Sequence, residues 1–429
     1  MASTPPSRRS FLALSGLTVL SASLSAACGD GGSGPVSAAD GKVAFAWWNI
    51  ATTEPGKSLF PQLSTAFTAA HPNIVIKTTS LENEAFKSKL AAVTSSGRLP
   101  DVFQTWGGGV LRQQVDAGLV EDLTDVFGRA SDLTPVSLQA YRFEGRTYAV
   151  PYDVGMVGFW YNKKLFAKAG ITAPPATWAE LLEDVGKLKT AGVTPIALAG
   201  KEKWPGHFYW AYLAMRVAGL PALEQAAAAE DFTGAGFVRA GSHLKELVGL
   251  QPFQPGFLGA GYSTPGGQAA TMGNGKAAME LMGQWAPSVQ KDAGADLGAD
   301  LGFFPFPTVD GGAGRITEVL GGGGGFALRK GAPKEALDFL EFFVLENQSR
   351  LLASNGYLPV VKGAESALDA NRRAVADTLA RATGFQLFLD QAYPPAVGQE
   401  VNDSVADLIA GRKTPEQVTT AITEAAKGA

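Results

Sequence analysis

Residues 147–162, TYAVPYDVGMVGFWYN, combine two strand-like apolar runs with a break between them. The first run ends near Val150, and the second resumes at Met156. Pro151 fixes φ and cannot donate a ladder hydrogen bond, and the glycine at position 155 frees the backbone, so one continuous strand is not expected. We interpret the stretch as a crossover, where one lobe ends near Val150 and another begins near Met156. A bulged strand inside a single domain is the alternative.

The length and charge of the chain limit its fold and its partners. A chain of 429 residues exceeds what one hydrophobic core usually serves, so two domains are expected. The formal net charge of −4 disfavours nucleic acid as a partner, because nucleic-acid binding needs a basic surface. A single cysteine excludes an intramolecular disulfide and a multi-cysteine metal site.

The first 40 residues have the pattern of an export signal and a tether. The sequence SRRSFL at positions 7–12 resembles a twin-arginine signal, and the apolar run after it ends in small residues before Cys28, as in a lipobox. We expect residues 1–27 to be an export signal peptide, Cys28 to be lipidated and residues 28–40 to form a flexible tether. The folded part would then be anchored to the outer face of the cytoplasmic membrane only through its lipidated N-terminus. An uncleaved membrane anchor is the alternative.

Strands and helices alternate along the mature chain. Strands are predicted at 42–48, 74–79 and 101–105, with helices at 57–70 and 81–95 between them. This order favours an α/β fold with a parallel sheet flanked by helices. Ligands bind such sheets beyond the carboxyl ends of the strands.

The same pattern restarts after the crossover. Thr177 and Glu180 form a capping box that predicts a helix to about residue 190. Residues 201–210, rich in aromatic side chains, are predicted to form a loop. Further strands are predicted at 193–198, 276–283 and 301–307. Five glycines at 321–325 lie between strand-like residues, which favours close backbone approach to a ligand or to the opposite lobe over a merely flexible loop.

Motifs for catalysis are incomplete. Residues 51–58, ATTEPGKS, nearly fit a phosphate-binding loop, but Ala51 replaces its first glycine and Pro55 removes an amide. Three scattered histidines make a catalytic metal unexpected, and the chain has no Gly-x-Ser-x-Gly motif. We therefore expect no cofactor, no metal and no enzyme activity. A glycosidase, which needs two facing carboxylates, remains the main enzyme alternative.

The positive signal is a set of aromatic rings beside polar side chains, mostly at predicted strand ends and loop entries. Flat apolar rings stack on the C–H faces of sugars, and carboxylates or amides accept hydrogen bonds from hydroxyls. The pairs are Trp48-Asn49, Gln104-Trp106, Tyr152-Asp153, Trp204-His207, Gln284-Trp285 and Asn355-Tyr357. Any single tryptophan could equally be a core residue, but six such pairs favour a ligand site.

Several segments together resemble the bacterial extracellular solute-binding proteins of ABC sugar importers, the maltose-binding-like family. They are LPDVF at 99–103, AVPYD at 149–153, FWYNK at 159–163, PATWAELL at 175–182, residues 278–285 and 399–422, and the N-terminal leader. The resemblance covers essentially all of residues 40–425. It implies a two-lobed, type II-like periplasmic-binding-protein fold, in which each lobe is a mostly parallel sheet flanked by helices and the ligand cleft lies between the lobes.

The resemblance also implies lobe boundaries and a mode of action. The first lobe would comprise residues 40–150 and 311–358, and the second lobe residues 151–310 and 359–429. A sugar would bind between the lobes, hinge closure would trap it, and the permease of an ABC transporter would recognise the closed form. We predict a monomer that binds a sugar with high affinity, with a short oligosaccharide favoured by the number of aromatic rings. A receptor for a peptide or a polyamine is another alternative.

The candidate ligand-binding residues follow from these patterns and from the resemblance. We predict stacking by Trp48, Trp204 and Trp285. We predict hydroxyl contacts from Glu82, Gln104, Asp153 and His207. Gly322 and Gly323 would offer backbone amides, and the remaining candidates are Asn49, Trp106, Tyr357 and Tyr393.

Overall fold

The computed structural model describes residues 41–354, 356–364 and 368–429. The predictions for the signal peptide, for lipidation of Cys28, for the tether and for Asn355 lie outside the described residues. Within the described ranges, no helix is long and apolar enough to cross a membrane.

Strands and helices alternate through most of the described chain. The strands are β1 (Val43–Asn49), β2 (Ile74–Ser80), β3 (Val102–Thr105), β4 (Arg142–Phe143), β5 (Arg146–Thr147), β6 (Ala149–Pro151), β7 (Gly155–Met156), β8 (Gly158–Asn162), β9 (Thr194–Ile196), β10 (Ala277–Met282), β11 (Leu301–Phe304), β12 (Glu318–Gly322), β13 (Gly325–Leu328) and β14 (Gly384–Leu387). The α-helices are α1 (Gly56–Ala70), α2 (Asn83–Ser95), α3 (Gly108–Asp116), α4 (Pro135–Leu138), α5 (Lys163–Lys168), α6 (Trp178–Thr190), α7 (Trp204–Val217), α8 (Leu220–Ala229), α9 (Ala235–Gly249), α10 (Gln268–Gly273), α11 (Ala286–Ala293), α12 (Lys334–Glu341), α13 (Gln348–Ala353), α14 (Ala370–Ala380), α15 (Leu389–Ala392), α16 (Pro395–Ile409) and α17 (Pro415–Lys427). A π-helical segment, Phe342–Glu346, follows α12.

The first lobe contains a five-stranded sheet with the order β2-β1-β3-β13-β6. Strand β1 is parallel to β2 and to β3, as the β-α-β-α-β pattern predicts, whereas β13 is antiparallel to β3 and β6. Trp47 lies on one face of this sheet, with its ring centroid 5.0 Å from that of Phe339. Trp48, the next residue, packs on the opposite face with Phe103. Both faces of the sheet are therefore buried.

The second lobe contains a four-stranded sheet with the order β11-β8-β10-β9. Strand β8 is antiparallel to both neighbours, and only β9 and β10 pair in parallel, so this sheet is more mixed than the mostly parallel sheet predicted. Phe306 packs between Trp178 and Tyr212, with ring centroids 5.5 and 4.6 Å away. Helices α6 and α7 thereby cover the sheet.

The crossover at 147–162 is confirmed as a break between sheets. Strand β6 belongs to the first lobe, β7 pairs with β12 in a small sheet of order β14-β12-β7, and β8 belongs to the second lobe. The chain returns through the glycine run, since β12 ends at Gly322 and β13 starts at Gly325. A Cβ on Gly324 would lie 2.2 Å from the Tyr152 ring, so the glycine link permits the two crossing segments to touch.

One local prediction needs correction. Of the predicted loop at 201–210, residues 204–210 are helical, because α7 begins at Trp204 with Pro205 in its first turn, where proline needs no amide partner. The capping box of Thr177 and Glu180 is confirmed.

Candidate functional site

A cleft lies where the crossing segments meet, between the loops of the two lobes. The residues that line it are Ile50, Ala51, Thr52, Thr53, Glu54, Pro55, Gly56, Phe60, Glu82, Asn83, Lys87, Gln104, Trp106, Tyr152, Asp153, Trp204, Phe208, Tyr262, Ser263, Gln284, Trp285, Ser288, Val289, Gly323, Gly324, Gly356, Tyr357, Phe388, Asp390 and Gln391. The loop after β1 and the end of β3 both contribute, so the cleft lies at the carboxyl ends of these parallel strands, as predicted.

The wall on the second lobe is built from aromatic rings. The ring centroid of Trp204 lies 5.4 Å from that of Tyr262 and 6.5 Å from that of Trp285. The ring centroid of Trp285 lies 6.1 Å from that of Phe388. Trp204 and Trp285 are half-buried, so each ring keeps part of its surface free. This wall offers flat apolar surface to a ligand.

The wall on the first lobe is more polar. Gln104 Oε1 accepts a hydrogen bond from the backbone amide of Ile50 at 3.2 Å, which orients its side chain at the end of β3. Glu82 is exposed at the start of α2. Trp106 is half-buried on the same lobe, with the Lys87 ammonium 5.6 Å from its ring centroid. The cleft therefore sets amide and charged groups opposite the aromatic wall.

Asp153 is held by protein groups on both sides of the cleft. Its Oδ1 accepts a hydrogen bond from the amide of Leu358 at 2.8 Å, and its Oδ2 accepts one from Gln284 Nε2 at 2.6 Å. Burial raises the pKa of Asp153 to about 7, although these hydrogen bonds oppose the rise. Asp153 lines the cleft as predicted. Both of its carboxylate oxygens, however, already accept hydrogen bonds from protein groups, one from Leu358 and one from Gln284.

The structure brings together most of the candidate residues. Those that line the cleft are Glu82, Gln104, Trp106, Asp153, Trp204, Trp285, Gly323 and Tyr357. Those that do not line it are Trp48, Asn49, His207, Gly322 and Tyr393. Contact of the first group with a ligand stays a prediction.

Trp48 and Asn49 are wrong as cleft residues because β1 directs them elsewhere. Trp48 is 1% exposed and packs below Lys89, whose ammonium lies 4.3 Å from the ring centroid. Asn49 Oδ1 accepts hydrogen bonds from the amide of Ala51 and the hydroxyl of Ser80, which shapes the turn after the strand.

His207, Gly322 and Tyr393 are also corrected. In α7, Trp204 and Phe208 line the cleft, whereas His207 has no exposed surface and does not line it. Burial lowers the pKa of His207 and favours its neutral form. Gly322 lies against the Phe388 ring, 2.4 Å from where a Cβ would be, and Tyr393 is buried in the second lobe.

Sequence reasoning missed several residues of the cleft. Residues 50–56 line the cleft, although the sequence analysis considered most of this segment only as an incomplete phosphate-binding loop. The segment directly follows β1, and ligands bind beyond the carboxyl ends of parallel strands, so its position alone indicates a cleft residue. Tyr262 and Ser263 lie in a turn-rich segment that carried no other signal. Lys87 and Asp390 are 303 positions apart, so no local pattern connects them.

Comparisons with known proteins agree with this architecture. The chain matches the family described as bacterial extracellular solute-binding protein over residues 51–348. An uncharacterized ABC transporter extracellular-binding protein of Pyrococcus horikoshii is 29% identical over 277 residues, which cover 61% of this chain and 60% of that protein. The match thus spans less than two thirds of the length of that relative.

Two solved structures are similar over most of the chain. One, from work on xylan utilization by the thermophilic bacterium Caldanaerobius polysaccharolyticus, is 28% identical, with a TM-score of 0.83 and coverage of 89% of this chain and 99% of that one. A chitin oligosaccharide binding protein is 26% identical, with a TM-score of 0.83 and coverage of 90% and 99%. These similarities confirm the predicted two-lobed α/β fold.

Proposed function

The chain belongs to the bacterial extracellular solute-binding proteins, and from this membership we propose that it binds a sugar outside the cytoplasm and delivers it to an ABC transporter. The observation that carries the proposal is the cleft between the lobes, which has half-buried tryptophans on one wall and amide and charged groups on the other. Apolar surface with a few convergent polar groups is typical of small-molecule sites.

A short oligosaccharide fits the cleft better than a single ring. Trp204 and Trp285 offer separate stacking surfaces on the second lobe, and Trp106 offers another from the first lobe. One structural neighbour is a chitin oligosaccharide binding protein, and another comes from work on xylan utilization. Both names support an oligosaccharide ligand, with Gln104 and Glu82 as partners for its hydroxyls.

The proposed mode of action is closure of the two lobes around the sugar. The lobes would comprise residues 40–150 and 151–310 with parts of the C-terminal third, as the family resemblance implies. Strand β12 pairs with β7 and β14 in the small sheet, whereas β13 belongs to the sheet of the first lobe. We therefore propose that the chain returns to the first lobe at the glycines 323–324 rather than at residue 311. We further propose a monomer held at the membrane by lipidated Cys28, with the closed form recognised by the permease.

The proposal includes no catalysis. Four carboxylates of the described residues line the cleft. Asp390 is paired with Lys87, Asp153 accepts hydrogen bonds from Leu358 and Gln284, Glu54 accepts one from the Ser58 hydroxyl, and Glu82 is exposed. A glycosidase needs one carboxyl group free to protonate the leaving group and another that acts as nucleophile or base. Three of the four are engaged by protein groups, and the exposed Glu82 alone does not supply the pair of free carboxyl groups, which disfavours that role. Incubation of the purified protein with xylo- and chito-oligosaccharides should leave them intact, and turnover would support an enzyme instead.

A thermal-shift screen tests the proposed ligand class. The protein without residues 1–27 is heated with xylo-, cello-, chito- and malto-oligosaccharides and with their monomers. A ligand that binds only the folded state stabilises it by about 2.7 kcal/mol at 100 times its Kd, so the melting temperature should rise with at least one oligosaccharide. A rise only with a peptide or a polyamine would contradict sugar binding.

A further inference from the structure

One ion pair crosses the cleft. Lys87 lies on α2 of the first lobe and Asp390 on α15, which packs in the core of the second lobe. Lys87 Nζ lies 3.0 Å from Asp390 Oδ2, and the two side chains are 26% and 7% exposed. Both residues also line the cleft. The pair therefore connects the lobes at the place where a ligand would enter.

The surroundings keep both partners charged. Burial alone would lower the pKa of Lys87, but the charges of Asp390 and Glu84 outweigh it and the pKa is raised. Burial would raise the pKa of Asp390, but the charge and the hydrogen bond of Lys87 oppose burial and the pKa is lowered. A buried charge that loses its partner is strongly disfavoured. The lobes can therefore separate here only if water replaces the ion pair.

The backbones of the two lobes also touch beside this pair. Gly108 and Gly109 open α3 in the first lobe and lie against the end of α15. A Cβ on Gly108 would be 2.3 Å from the carbonyl oxygen of Gln391, and one on Gly109 would be 2.5 Å from that of Tyr393. Any larger residue at position 109 would thus push the lobes apart or displace one backbone.

We propose that Lys87 and Asp390 form a latch that holds the lobes together on the α3–α15 side of the cleft and thereby sets the affinity for the ligand. The part that concerns affinity rests on the proposed sugar-binding function. A ligand that contacts both lobes binds only the closed state, so its apparent Kd rises as the closed fraction falls. The latch raises that fraction before the ligand arrives.

The first test concerns the ligand-free protein and needs no sugar. Small-angle X-ray scattering compares wild type with Asp390→Asn, which removes the charge, and with Gly109→Val, which fills the backbone contact. Gly128→Val is the matched control, because Gly128 is an exposed glycine with open space around its Cβ position. We expect a larger radius of gyration for the first two variants and an unchanged one for the control, with native circular dichroism in all.

The second test measures the Kd of an oligosaccharide from the thermal-shift screen. We expect about a 10-fold weaker affinity for Lys87→Met and for Asp390→Asn, and no further loss in the double variant, because both changes break one interaction. Losses that multiply in the double variant, or an unchanged radius of gyration in Asp390→Asn and Gly109→Val, would overturn the latch. If no sugar binds to the wild type, the sugar-binding function fails, whereas the scattering result still decides the latch.

Discussion

Glu280 is a buried carboxylate behind the aromatic wall of the cleft. It has no exposed surface, and its oxygens accept hydrogen bonds from Gln268 Nε2 at 2.8 Å and Gln290 Nε2 at 2.5 Å. Burial raises its pKa to about 7, although the two amides oppose the rise. The Glu280 charge in turn adds to the effect of burial in raising the pKa of Tyr262, which lines the cleft. The charge of Glu280, in the core of the second lobe, therefore acts on a residue of the aromatic wall.

Glu280→Gln should change how stability depends on pH. The folded-state pKa of about 7 exceeds the ordinary value of 4.5, so the folded protein retains a proton that the unfolded chain loses. As pH rises from about 4.5 to about 7, the free energy of unfolding of the wild type therefore falls. This group contributes at most about 1.4 kcal/mol per pH unit to that fall. Urea unfolding between pH 4.5 and 8 should show the variant gaining stability relative to wild type as pH rises. A difference that does not vary with pH would contradict the raised pKa.

Trp204→Ala should weaken sugar binding without unfolding the protein. The change removes the ring at the centre of the aromatic wall, and the loss of its apolar contact corresponds to about 1.5–3 kcal/mol, or roughly 10- to 150-fold in Kd. Titration calorimetry would measure this loss. Phe143→Ala is the control, because Phe143 is another half-buried aromatic residue but does not line the cleft. Normal affinity in Trp204→Ala would remove Trp204 from the site.

At the scale of elements, the glycine link between β12 and β13 has a steric role. A Cβ on Gly323 would lie 2.0 Å from the carbonyl oxygen of Asp153, and one on Gly324 would lie 2.2 Å from the Tyr152 ring. The first contact is with backbone, and the second is with the end of the Tyr152 ring, which is buried and stacked on Phe326. The two crossing segments can lie side by side only because these positions lack side chains.

Gly324→Ala should therefore destabilise the protein by about 1–3 kcal/mol, the usual cost of overpacking a dense site. Gly128→Ala adds the same methyl group where nothing lies within 4 Å, and it should change stability by less than about 0.5 kcal/mol. The free energies of unfolding in urea would compare the two. Equal values would mean that the crossing segments separate without cost.

At the scale of the whole molecule, three chain segments that join the lobes meet at one carboxylate. The first segment, between β6 and β7, carries Asp153, and the second is the glycine link, against which Asp153 packs. The third lies at the predicted lobe boundary after residue 358, where the amide of Leu358 donates a hydrogen bond to Asp153. Arg216 fixes the approach to the glycine link, because its guanidinium donates to the carbonyl oxygens of Phe306, Pro307 and Glu318. The connections between the lobes therefore lie close together at Asp153.

Asp153→Asn should weaken this junction. Asparagine keeps the shape but has one acceptor oxygen, so either the Leu358 amide or the Gln284 amide loses its partner. An unpaired buried donor costs about 1–3 kcal/mol, which urea unfolding at one fixed pH would detect. Asp153→Leu removes both acceptors and should lower the free energy of unfolding further. Equal stability of wild type, Asp153→Asn and Asp153→Leu would show that these hydrogen bonds do not stabilise the junction.

Closure predicts a change of overall size. Saturating oligosaccharide should lower the radius of gyration of wild type, since hinge motion brings the lobes around the ligand. Scattering with and without sugar would measure it. An unchanged radius together with tight binding would mean that the site is already closed in the ligand-free protein.

Patterns within short segments predicted the first five elements of the first lobe correctly. The alternation of β1, α1, β2, α2 and β3 follows from local periodicity, and the capping box at Thr177 follows from hydrogen bonds within one turn. Pro151 predicted the break between sheets for the same local reason, because proline cannot donate to a ladder. The first part of helix α7 was predicted as a loop because residues 204–210, WPGHFYW, place aromatic rings on every side and show no helical period.

By itself the sequence determined the alternation of strands and helices at the start of the first lobe and the position of the break at Pro151. Only the tertiary structure decided that β13 lies between β3 and β6, that Trp204 rather than Trp48 faces the cleft, and that Lys87 meets Asp390. The physical reason is the distance along the chain over which the deciding interactions act. Backbone conformation follows from sterics and hydrogen bonds between near neighbours, whereas the face that a side chain presents to a cleft depends on packing between segments hundreds of residues apart.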